Sequence, residues 1–155
     1  MTKLFMAALL ASSSIFAADK ATDQLTETQP RLSLEMAKKI AEKAAACGTK
    51  NKWNLSIAIV NSESNLVYFQ RGDGSYSGSI DAAIAKAKSA NDFQRPTKAF
   101  ADSVKEGRTG LLSVKSIVAV EGGMPIKKND KHLGAIGISG ARSVEDDQCA
   151  QAALE

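Results

Sequence analysis

The sequence predicts an α+β domain, an antiparallel five-stranded sheet covered by helices, in the order α-β-β-α-α-β-β-β-α. Two observations carry this. Apolar residues recur at helical spacing in four segments, and in alternating or short β-rich runs in five others. The β-rich runs are joined by tight polar or glycine turns, which makes neighbouring strands antiparallel. A chain of 155 residues, 44% hydrophobic and 24% charged, suits one domain with one core and excludes a disordered body.

The chain opens with "MTKLFMAALLASSSIFA", residues 1–17. Lys3, a short apolar stretch and then small residues have the make-up of a secretory signal peptide, with cleavage expected after Ala17. The apolar stretch is too short to span a bilayer. Residues 18–31 are polar and aperiodic and read as an arm. The domain is expected over 32–155, with no membrane span and a periplasmic or secreted location.

The elements follow in order. Ser33 stands as N-cap before a helix over 34–47, with Gly48 placed to stop it. "LSIAIV" and "LVYFQ" flank the polar turn Asn61–Asn65 and form a hairpin. Ser79 is read as the N-cap of the next helix, with Asp81 in its first turn, where a negative charge suits the dipole. Arg95-Pro96 ends that helix, and Thr97 caps a short one ending at Gly107. After a loop, "IVAVEGG", "MPIKKND" and "HLGAIGIS" read as three strands, turning at Gly122-Gly123 and Asn129-Asp130. Ser143 with Asp146 three residues on has capping-box spacing and starts a last helix.

Cys47 and Cys149 fall in the first and last helices. In an exported protein an even pair is a disulfide candidate, closing a loop of about 100 residues if the two helices pack together; otherwise they are two buried thiols.

The net charge of +3 comes from interspersed charges, without the basic stripe that nucleic-acid binding requires. Lys38-Lys39 and Lys127-Lys128 read as solvated faces. Glycines at 134, 137 and 140 lack the dinucleotide-loop spacing and sit in an apolar strand, so they are expected to let a covering helix come close. With one histidine and no nucleophile elbow, the sequence does not point to a serine-type triad. His132, placed in the turn before the last strand, is the one imidazole that a metal or haem iron would find. The helix and corner "SIDAAIAKAKSANDFQRPT" offers Asp81 and Lys88 towards one end of a groove, Phe93 as an apolar wall, and Lys86, Arg95 and Thr97 as partners for a carboxylate or propionate.

These stretches, with "LSLEMAKKIAEKA", "IAIVNSESNLVYFQRGDG", "GGMPI" and "LGAIGISGARSVEDDQCAQAAL", resemble the GlcG/HbpS-like family across nearly all of the expected domain. The resemblance implies a profilin-like α+β sandwich, frequent homo-oligomers, and haem or a related tetrapyrrole as cofactor or ligand. "NSESNL" departs from the family's glycine-containing turn. The histidines that some members carry near the first helix are absent, so His132 becomes the metal-ligand candidate by elimination. The expected function is an exported haem- or tetrapyrrole-binding protein for scavenging, sensing or degradation, with Lys86, Arg95 and Thr97 pairing the acidic groups of a planar anionic ligand beside an apolar slot. The alternatives are an accessory subunit or enzyme acting on a small hydroxy or oxo acid, and a purely structural oligomerisation module.

Overall fold

The computed structural model describes residues 31–155. The expected signal peptide and all but the last residue of the arm lie outside them. Four helices, α1 (Leu34–Asn51), α2 (Gly78–Asp92), α3 (Thr97–Lys105) and α4 (Ser143–Ala152), surround four strands, β1 (Ser56–Asn61), β2 (Leu66–Arg71), β3 (Gly123–Lys128) and β4 (Lys131–Ser139). The sheet runs β2-β1-β4-β3, and every pairing is antiparallel.

The period-two alternation of β1 and β4 divides the core between the two faces. Ile57, Ile59, Ile136 and Ile138 point to one side and pack with Ala37, Ala41 and Ala44 of α1 and Cys149 and Ala150 of α4. Ala58, Val60 and Ala135 point to the other and meet Ala83, Ala87 and Ala90 of α2. On the α2 side small residues face small residues. A Cβ on Gly137 would lie 2.1 Å from the Ala83 carbonyl oxygen and 2.4 Å from the Ala87 nitrogen. This glycine therefore lets α2 lie directly on β4, as the sequence leads one to expect.

On the isoleucine side, α1 and α4 pack together and Cys47 is bonded to Cys149, with Cα atoms 5.5 Å apart and a sequence separation of 102. The cross-link closes most of the domain into one loop.

The sheet has four strands where five were expected. The run from Ile117 stays irregular until Gly123. Its backbone donors find side chains instead of a neighbouring strand: Val118 donates to Ser89 Oγ at 2.9 Å, and Gly122 to Asp147 Oδ1 at 3.2 Å. Gly122 also sits at φ +115°, a turned conformation that breaks an extended run.

Four helix ends differ from expectation. Ser33 does cap α1, accepting from Met36 N at 3.1 Å, but the helix runs on through Gly48 to a left-handed Lys52. Gly48 is there because a Cβ would meet Leu55 Cδ1 at 2.8 Å. Ser79 lies inside α2 rather than capping it, with its hydroxyl 2.8 Å from Ser56 Oγ in the core and donating to the Tyr76 carbonyl at 2.6 Å. Thr97 is the first residue of α3, with Pro96 preceding it. At α4 the reciprocal cap is made by Glu145, which accepts from Arg142 N at 3.0 Å. This leaves Asp146 free to turn inward.

Candidate ligand site

On α1 the residues Met36, Ile40 and Lys43 follow one another at three- and four-residue steps and so share a face. Opposite them stands β3, an edge strand of the sheet. Between the two lies a groove of about 390 Å³, floored by Met36, Ile40, Pro125, Ile126 and Leu154, with Lys43, Lys127 and Lys128 along its rim. A second hollow of about 380 Å³ adjoins it along α1, and adds Ser33, Glu35 and Lys39. The two share Met36, Ile40 and Lys43, which places these three at the middle of one trough. Lys39 is paired with Glu35 at 2.8 Å. Lys43, Lys127 and Lys128 are exposed and form no ion pair among the described residues. The β3–β4 turn that follows two of these lysines is tight, with Asn129 and Asp130 both at positive φ, as two-residue hairpin turns require. The cross-link from Cys47 to Cys149 ties α1 to α4, and Ala153 and Leu154, just past α4, also line the groove.

The residues singled out in the sequence are distributed differently. Lys86 is buried within the fold. Its Nζ donates to Asp146 Oδ2 at 2.8 Å and to the Ile138 carbonyl at 2.9 Å. Its side chain is 4% exposed and that of Asp146 2%. Burial pushes the Asp146 carboxyl above its ordinary range, and the hydrogen bond from Lys86 opposes that rise. Thr97 is fully buried, and its Oγ1 accepts from Gly123 N at 2.9 Å. Both side chains hold α2 and α3 to the rest of the domain, so neither is presented to a ligand. Asp81 lies exposed near the start of α2, roughly 16 Å along the axis from its end.

Phe93 and Arg95 do come together, at the corner after α2. The Phe93 ring meets Phe100 edge-on with centroids 5.3 Å apart. The Arg95 guanidinium lies 5.7 Å from the centre of the Phe100 ring. The corner thus holds one cation on an aromatic pair.

His132 is on β4 itself, half-buried, and not in the turn. Asn91 donates to the Ser62 carbonyl at 3.1 Å and towards Ser64 Oγ at 2.7 Å. Its Oδ1 is thereby left to accept from His132 Nε2 at 2.7 Å. The proton is assigned to Nε2 by this network. Nδ1 then carries a lone pair, yet it is buried without a partner. Burial, and then the nearby charge of Lys127, lower the pKa of this imidazole. One ring nitrogen is engaged and the other is covered, so the domain as folded offers iron neither. Among the described residues no group of three or more His, Cys, Asp or Glu side chains is arranged to hold a metal ion.

The class defined by this architecture is an α+β domain with helices on both faces of a four-stranded antiparallel sheet. The chain belongs to the HbpS-like family: the family model described as "Haem degrading protein HbpS-like" matches residues 32–155. It is 31% identical over 113 residues to Protein GlcG of Escherichia coli strain K12, covering 73% of this chain and 84% of that one. Among solved structures, it is similar to Klebsiella pneumoniae ORFY, with a TM-score of 0.76, 27% identity and 83% and 92% of the two chains covered. It is similar also to a double mutant of Streptomyces reticuli HbpS, with a TM-score of 0.75, 27% identity and 96% of each chain covered.

Proposed function

We propose that this protein binds haem or a related tetrapyrrole, that it does so outside the cytoplasm after loss of the first 17 residues, and that the α1–β3 trough is the seat. The observation that carries the reading is the composition of that trough. Haem is a flat apolar disc with two propionates. It needs an apolar slot with cations at the rim, and the trough sets Met36, Ile40, Pro125 and Ile126 between Lys43 on one wall and Lys127 and Lys128 on the other. The description of the matching family supports the same ligand. The bound group would supply the redox or oxygen chemistry. The protein's own part is to exclude water from one face of the disc and hold its carboxylates.

Titration of the purified protein with haemin, followed in the Soret region, tests this. A sharpened band that saturates at a fixed haem-to-protein ratio is expected. A featureless rise with no saturation contradicts the reading and would turn the search to small hydroxy and oxo acids.

A further inference from the structure

We infer that Met36 supplies the thioether sulfur that ligates haem iron in the trough. This rests on the haem reading above and goes further by naming the donor.

Haem iron takes an axial ligand from imidazole, thiolate, thioether or phenolate side chains. His132 is the only histidine of the chain. Its Nε2 is held by Asn91 and its Nδ1 is buried. Both cysteines are joined to each other. Neither Tyr68 nor Tyr76 lines the trough. Of these ligand types the trough contains one, the sulfur of Met36, and Met36 is among the three residues common to both halves of it. Met36 thus stands at the middle of the trough that would hold the disc. The other methionine of the described domain, Met124, does not line the trough.

The neighbouring lysines do not compete on equal terms at neutral pH. An ammonium has no lone pair to offer and must lose a proton before it can ligate. A thioether carries no proton and ligates at any pH. The bond forms by donation of a sulfur lone pair into an open iron position. No electron is transferred and no proton is released. The backbone at Met36 is held by the Ser33 cap, which accepts from its N–H at 3.1 Å.

The test is iron K-edge X-ray absorption on the haemin complex, with the Soret titration run in parallel on Met36→Leu, which preserves volume, and on Met36→His. The expected result is a sulfur neighbour of iron in the wild type and none in Met36→Leu, with haemin affinity about tenfold weaker in the latter. Met36→His should replace sulfur by nitrogen and shift the Soret band. If the wild type binds haemin saturably but iron has no sulfur neighbour, or if Met36→Leu leaves spectrum and affinity unchanged, the assignment of Met36 is wrong and the haem reading stands. If haemin does not bind saturably, the haem reading itself fails and takes the assignment with it.

Discussion

The two faces of the sheet are built on opposite terms. Beneath α2 the interior is alanine and valine interleaved with polar contacts. It holds the Lys86–Asp146 pair, the Ser56–Ser79 hydroxyl contact, Ser89 on Val118 N, and Thr97 on Gly123 N. Beneath α1 and α4 it is isoleucine and alanine, closed by a disulfide. On the α2 face the polar groups are engaged within the domain, apart from His132 Nδ1, which is buried without a partner. The apolar face satisfies itself without its surface lysines and leaves them at the rim of an open trough. Polar residues in a helix are therefore a poor guide to a binding site here. The ones that looked functional are those that hold α2, α3 and α4 to the sheet.

The sharpest way to break this contrast is to damage the α2 face. Asp146→Ala leaves the Lys86 ammonium buried without its partner and should cost about 3–5 kcal/mol in urea unfolding. Replacing both, as Lys86→Met with Asp146→Leu, should cost much less than the single change. A single change with no measurable cost would mean that this pair does not hold α2 to α4.

On the other face, Cys47→Ser with Cys149→Ser should lower stability by roughly 2–5 kcal/mol. It should also weaken haemin binding, since α1 and the residues just past α4 both line the trough. A loss of stability with unchanged binding would separate the cross-link from the site. Gly137→Ala probes how closely α2 lies on the sheet. With no room for a Cβ, it should cost about 1–3 kcal/mol, read from the same unfolding curves.

A smaller effect concerns His132. Its pKa is lowered in the fold, so the folded state binds fewer protons than the unfolded chain. Its contribution to stability is complete above the ordinary histidine value of 6.5. It is lost as the pH falls from there through the folded value. Between pH 7.5 and pH 5 the wild type should lose more stability than His132→Gln, whose amide can still donate to Asn91. Equal losses would show that this ring does not titrate against folding.

Much of the architecture is legible in the sequence because it rests on local rules. Ser33, the Asn129-Asp130 turn and the alternation in "LSIAIV" act within a few residues, and the spacing of Gly137 from its neighbours already suggested a helix lying close. The misread features depend on contacts distant in sequence. Val118 and Gly122 are kept out of a fifth strand by Ser89 and Asp147. Asp146 could be taken for a cap because only folding reveals Lys86 beside it, 60 positions away. The trough was hidden for the same reason. Met36 and Ile40 read as apolar positions of a helix, and Lys127-Lys128 as a solvated face, until packing set them across from one another.

The central claim is that binding resides in the trough and not at the α2 corner. Haemin titrations of Lys43→Glu with Lys127→Glu, set beside Arg95→Ala, test it most directly. The charge reversals should weaken binding by tenfold or more, roughly one charge-assisted contact, while Arg95→Ala binds as the wild type does. The opposite pattern, with binding lost in Arg95→Ala and kept in the charge reversals, would contradict the claim and return the site to the corner of Phe93, Arg95 and Phe100.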